Sequence, residues 1–304
     1  MPENLVKKHE KEIAMHIYSK FRYKFLLCLP ALVIFGVFMV YPILDTLYTS
    51  LFDKYMLKPG IFVGLNNYKK AFQDEYFILG LKNTFIIVVC TFLTQLPLAF
   101  FLGKFLSAPN YKNGAFKTIS FIPYILSGIM TGLIWSFLLD PTIGLFNNLL
   151  LKVGMKPLIW IGGKTLTPYS VSLVLLWQVV GYHSVLFMAG FKMMPKDVIE
   201  AASIDGANAL QRNWYVVIPS IKETIKMSAT LILVGGINQY QQTFMLTGGG
   251  PSHYSETIGT YTYNVDFVSY QFGYGSALAT IILALALGLT VIMLQLSSGK
   301  DDIA

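Results

Sequence analysis

The residues of this chain best placed to do chemistry are amides rather than acids or nucleophiles. Asn238, Gln239, Gln241 and Gln242 occur in one run with Gly235, Gly236, Tyr240 and Phe244. On a helix, positions 235, 239 and 242 share a face, so a backbone gap and two amides would line one side. A second set holds Trp177, Gln178, Gly181, Tyr182 and Ser184, with 177, 181 and 184 on one face. Amides beside aromatic surface suit a neutral polyol, because hydrogen bonds fix its hydroxyls while rings cover its apolar faces. The same amides also suit a plainer use as links between helices, worth about 0.6 kcal/mol each in a membrane. His183 offers a proton acceptor, yet the apolar stretches hold no Asp or Glu to complete a relay. Gly162, Gly163, Lys164 and Thr165 imitate the end of a phosphate-binding loop, but Leu158 stands where that loop needs Gly. No catalytic set and no metal set emerges, so the expectation is a protein that is not an enzyme and carries no cofactor of its own.

The elements that must position these amides follow from composition. Of 304 residues, 54% are apolar and 13% charged, against about 25% charged in an ordinary soluble domain. A bilayer-crossing helix needs about 20 residues without an unpaired charge. Six intervals qualify: 25–44, 83–103, 118–139, 165–191, 227 to about 247, and about 272 to 297. In hydrocarbon a helix satisfies its own backbone, and the runs are continuous rather than alternating, which disfavours a barrel. The predicted fold is all-α, a polytopic membrane protein of six transmembrane helices.

The net charge of +7 does not imply nucleic acid once the cations are located. With both termini in the cytoplasm, 15 of the 23 Lys and Arg fall inside and eight outside, as the positive-inside bias requires. The inner group is Lys7, Lys8, Lys11, Lys20, Arg22, Lys24, Lys104, Lys112, Lys117, Lys192, Lys196, Arg212, Lys222, Lys226 and Lys300. Cys28 and Cys90 both fall inside predicted spans and read as small apolar residues. The basic N-terminal tail leads into an apolar run without a small-residue cleavage pattern, and reads as a retained anchor. Three regions are expected: 1–78, with the tail, first span and outer loop; 79–297, a five-helix core; and 298–304, an inner tail.

The longest inner connection, 195–219, carries the sharpest pattern. Pro195 suits a helix start and Gly206 a left-handed stop, which predicts a helix of about ten residues between them. A second helix should follow, capped by Asp205 and stopped by Pro219. Ala201, Ala202 and Ala207 would let another backbone approach closely, and Glu200 and Asp205 would offer it charge.

Glu200-Ala201-Ala202, then Asp205-Gly206-Ala207, then Pro219, resembles the EAA loop of binding-protein-dependent ABC permeases. Asn213 stands where that family usually has Phe, with Trp214 one residue later. Gly64 to Tyr68, Phe121 to Gly128 leading to Trp135, and Leu246 to Pro251 are similar to the carbohydrate-uptake branch, related to the maltose and glycerol-3-phosphate permeases. The resemblance implies the type I importer permease fold, with the EAA loop coupling to a separate subunit that binds ATP. It also implies a second homologous permease, two ATP-binding cassette subunits, an extracytoplasmic solute-binding protein and a sugar cargo, at the bacterial inner membrane. By the same resemblance, cargo contacts fall near Gly181 and Tyr182 and near Gly235, Gly236 and Gln239. A glycerol-3-phosphate permease and a stand-alone proton-coupled carrier are the alternatives; the first would want Lys or Arg facing the path, the second intramembrane carboxylates.

Overall fold

Apolar length sets most of the architecture, and local punctuation sets where it breaks. The computed structural model describes residues 21–56, 58–108 and 114–298, and within them all six predicted intervals are helical. The first comprises α1 (Phe21–Phe35) and α2 (Tyr41–Thr49), joined by a π-helical turn at Gly36–Val40. A wide turn before Pro42 suits a residue that cannot donate to the carbonyl four positions back and whose ring crowds it. Lys7, Lys8, Lys11, Lys20, Lys112 and Lys300, assigned above to the inner surface, lie outside the described residues.

After the first span the chain forms a two-stranded antiparallel ribbon, β1 (Phe52–Asp53) and β2 (Ile61–Phe62), with Phe52 opposite Phe62. Asn67, on α3 (Asn66–Ala71), donates to the carbonyls of Ser50 and Phe52 at 2.9 Å each and holds the ribbon to the span. The second interval is α4 (Glu75–Ser107) and the fourth is α8 (Thr167–Met193), with α7 (Leu145–Lys152) in the outer loop before it. The sixth is α15 (Phe272–Ser298), preceded by α14 (Ile258–Tyr263) and a π-helical turn at Asn264–Val268.

The third and fifth intervals are broken. The third is α5 (Gly114–Ile125) and α6 (Gly128–Leu138), bent by 96°. Ser127 makes the bend, since its hydroxyl accepts from the Met130 N–H and so begins a new helix. The fifth is α12 (Lys222–Ile237) and α13 (Gln241–Thr247), with residues 238–240 between them out of helical geometry. Among the described residues four helices are long and apolar enough to cross a membrane, or five if the bent pair counts as one.

Three apolar clusters hold the core together. One joins Phe77, Val88, Ile237, Ile258 and Leu278; a second joins Ile87, Trp135, Val174 and Leu246; a third joins Ala99, Phe187, Phe191 and Val217. The third depends on a close crossing of α4 and α8 at Gly103, where a Cβ would lie 2.5 Å from that of Phe187. The most apolar window of the first span has none of its residues buried against the rest of the chain.

Asp74 fastens the start of α4 to α14 and α15. It caps α4 by accepting from the N–H groups of Tyr76 and Phe77, and it also accepts from the hydroxyls of Tyr261 and Tyr274, the latter at 2.7 Å. Burial works against the charged carboxyl, but the two tyrosine hydroxyls and two backbone N–H groups outweigh it and hold the group below its ordinary value. A depressed folded value means that the contribution is fully present above about pH 4 and is lost as pH falls through that lowered value. Thermal unfolding in detergent should therefore show Asp74→Asn less stable than the parent at pH 7, with the gap closing towards pH 3. A gap of equal size at both values would contradict the assignment.

Candidate functional site

Two features converge inside the bundle: a chain of amides and the cavity beside it. Gln178 on α8 donates from Nε2 to the carbonyl of Leu126 at 2.9 Å. Gln242 on α13 donates to Gln178 Oε1 at 2.6 Å, and Gln239 donates to Gln242 Oε1 at 2.9 Å. Leu126 lies in the break between α5 and α6, and Gln239 in the break between α12 and α13. One unbranched hydrogen-bond chain thus ties both broken helices to the unbroken α8.

Beside it lies a cavity of about 210 Å³, whose polar lining is Thr91 and Gln95 of α4, His183 of α8, and Gln239 and Gln242. Gly235, Gln239 and Gln242, grouped on one face in the sequence, all line it with Gly236, although the break at 238–240 and not one continuous helix brings them together. Gln95 is 3% exposed and turns part of its surface to the cavity. His183 Nδ1 is 2.8 Å from Ser228 Oγ. Next to the cavity, Gly132 brings α6 and α13 into contact, since a Cβ there would lie 2.6 Å from that of Met245. Thr131 and Trp135 of α6 and Thr243 of α13 each keep a buried polar atom without a partner. Buried groups are ordinarily paired, so three orphans on these two helices mark a polar seam that its own side chains do not satisfy.

The other residues singled out from sequence lie outside this cavity. Gly181 is a packing residue: a Cβ would fall 1.8 Å from the Ser120 carbonyl oxygen, so α5 can cross α8 there only over glycine. Ser184 donates to the Gly181 carbonyl at 2.7 Å. Tyr182 stacks on Tyr124 with centroids 4.5 Å apart, and Trp177 sets its edge against Trp135 at 5.7 Å. Asn238 is exposed and donates back to the Val234 carbonyl at 3.1 Å. Thr91 and Gln95 escaped sequence reasoning, although Gln95 is itself an amide in a charge-free interval and carried the same signal.

The inner segment folds as two short helices. The first, α9 (Lys196–Ile204), begins directly after Pro195 and carries Glu200, Ala201 and Ala202. It closes with Gly206 at φ +81°, where the Ala207 N–H reaches the Ala202 carbonyl at 3.0 Å. The cap of the second, α10 (Ala209–Arg212), is Asn208 rather than Asp205. Asn208 accepts from the Gln211 N–H at 2.9 Å and Gln211 returns the bond at 2.8 Å, a reciprocal pair that Asp205 lies too far upstream to make. The helix also runs further than Pro219 was expected to allow. A π-helical turn at Asn213–Val217 leads into α11 (Ile218–Ser220), which contains Pro219, and the break falls at Ile221. Arg212 Nη1 donates to Ser203 Oγ at 2.9 Å and pins one helix on the other. Ile204, Leu210, Trp214 and Tyr215 stand exposed, and a pocket of about 320 Å³ opens between Asp205, Gly206, Ala207, Gln211, Tyr215 and Val216.

Residues 95–298 match the family described as the inner membrane component of binding-protein-dependent transport systems. The chain belongs to that family. It is 31% identical over 284 residues to the probable ABC transporter permease protein YurN of Bacillus subtilis, covering 91% of this chain and 97% of that protein. It is 29% identical over 270 residues to the diacetylchitobiose uptake system permease protein NgcF of Streptomyces coelicolor, covering 84% of this chain and 76% of that one. In fold it matches a chain of a bacterial alginate ABC transporter, solved in complex with a periplasmic protein that holds an alginate pentasaccharide. The TM-score is 0.78 at 20% identity, covering 97% of this chain and 98% of that one.

This permease is therefore a multi-pass membrane protein of a family of transport components, and the amide chain is a structural feature of its bundle. If the chain links the two breaks, cutting its middle should loosen both. Gln178→Leu should raise amide hydrogen exchange at residues 125–128 and 238–242 together. Exchange that rises at one break only would contradict the link.

Proposed function

We propose that this chain is the permease subunit of an ATP-driven importer of mono- or oligosaccharides, forming half of the translocation path across a bacterial inner membrane. The observation that carries the cargo class is a cavity lined by the side chains of Gln95, Gln239 and Gln242 and by no Lys, Arg, Asp or Glu. Hydroxyls satisfy amide donors and acceptors alike, whereas a phosphate ester would need a cation in that lining. The NgcF relative, named for diacetylchitobiose uptake, supports the same class.

The partners follow from the family. A second related permease completes the path, an extracytoplasmic binding protein delivers cargo, and two cytoplasmic ATPase subunits hold the ATP. Both termini lie in the cytoplasm, and the first span with its outer loop stands as a unit beside the five-helix core. Coupling runs through 195–219. The apolar residues Ile204, Leu210, Trp214 and Tyr215 sit in a groove of the ATPase, with Glu200 and Asp205 at its charged edge and Ala201, Ala202 and Ala207 permitting close approach. The segment joins α8, which carries Gln178, to α12, which leads to Gln239. Closure of the ATPases thus moves the helices that bear the amide chain, and the seam between α6 and α13 parts to admit cargo.

Two variants separate coupling from cargo recognition. Glu200→Lys, or Gly206→Pro, should leave membrane insertion intact while ATP hydrolysis no longer drives uptake in reconstituted vesicles. Gln95→Leu should leave ATPase docking intact and lower sugar uptake at least tenfold. Normal uptake by the first pair would overturn the coupling role, and normal uptake by the last would overturn the path.

A further inference from the structure

A second cavity, of about 750 Å³, lies between the coupling segment and the inner ends of the membrane helices. Three cations from three elements line it: Lys104 of α4, Lys192 of α8 and Arg212 of α10. None of them makes an ion pair among the described residues. Lys104 donates its Nζ proton to Asn213 Oδ1, and Arg212 donates to Ser203 Oγ, so both have neutral acceptors only. The lining holds a single carboxylate, that of Glu200. Gathering three cations about one cavity raises the free energy of each, and an anion placed among them relieves it. One wall is apolar, built from Phe191 and Val217 of the third cluster.

The geometry points to a binding site for a phosphate-bearing anion, held by Lys104, Lys192 and Arg212. A planar guanidinium takes two phosphate oxygens at once, and two ammonium groups add charge without fixed direction. Basic pockets between membrane helices on the cytoplasmic side are where anionic lipid headgroups lodge. The volume is that of an ordinary small-ligand site. A bound anion would brace α10 against α4 and α8, and so stiffen the link that the coupling segment makes to the bundle. This inference rests on the proposed coupling role only for its inner-membrane position and its consequence, because anion binding is read without ATP.

Native mass spectrometry of the delipidated full transporter complex tests it, with phosphatidylglycerol, phosphatidylcholine or inorganic phosphate added back. Phosphatidylglycerol should be retained and phosphatidylcholine should not. Lys192→Gln and Arg212→Gln should each lower the apparent affinity at least fivefold, while Lys117→Gln, at the inner surface outside the cavity, should not change it. Retention of inorganic phosphate with the same dependence on these variants would support the site and identify its ligand as a soluble anion. Retention of neither anion, or equal loss with Lys117→Gln, would overturn the inference. A complex that couples ATP hydrolysis to uptake yet retains no anion would overturn this site and leave the coupling reading standing.

Discussion

A helix can be interrupted inside a membrane only where something other than water takes up the backbone groups that the break sets free. At the first break a glutamine side chain does it, and at the second Asn238 donates to the Val234 carbonyl and Thr257 to the Gln239 carbonyl. The Leu126 carbonyl, freed at the 96° bend, is met by Gln178, Gln178 is met by Gln242 from the other interrupted helix, and Gln242 by Gln239. The two breaks are linked through side chains, because Gln242 and Gln239 hold Gln178 in the orientation that serves the first. The glycines around the chain follow from this arrangement. A Cβ at Gly128 would fall 2.6 Å from Gln241 Oε1, so the second break fits against the first only over a bare backbone.

This interlock places a polar thread in an otherwise apolar bundle, and the cavity lies alongside it. Thr91 and Gln95 come from α4, whose long uninterrupted contact with α8 gives a fixed wall, while Gly235, Gly236, Gln239 and Gln242 come from the interrupted side. A rigid wall facing a jointed one is the arrangement that a gated path needs, and the proposed cycle moves the jointed wall through the segment joining α8 to α12. The orphaned hydroxyls of Thr131 and Thr243 lie on that jointed side.

Much of this was legible in sequence, for identifiable reasons. Charge-free length reports a helix in hydrocarbon regardless of tertiary context, so helix fills most of all six intervals, and four, or five with the bent pair, are long and apolar enough to cross. The Gly206 stop was legible because a left-handed residue closing a helix is a local matter. The two breaks were not, since no charge interrupts either interval, and the partners that make each interruption tolerable, Gln178 and Thr257, come from distant parts of the chain. The cap at 208 was missed for a similar reason: Asp205 and Asn208 are both good caps, and Gln211 three residues after Asn208 decides between them. Helical faces counted along α8 grouped Trp177, Gly181 and Ser184, but Gly181 is spent on the crossing of α5 and Tyr182 on Tyr124. Which side of a buried helix faces a cavity depends on neighbours that a single helix does not specify.

The most direct test of the account is the distance between the two breaks in the working transporter. Spin labels at Ile125→Cys, which is exposed, and Asn238→Cys, with Cys28 and Cys90 replaced, report it by double electron-electron resonance. If the amide chain is the closure that the coupling segment releases, trapping the ATPases in their closed nucleotide-bound state should shift the distance distribution to a longer, separate population. An unchanged distribution in a transporter that still imports sugar would contradict it.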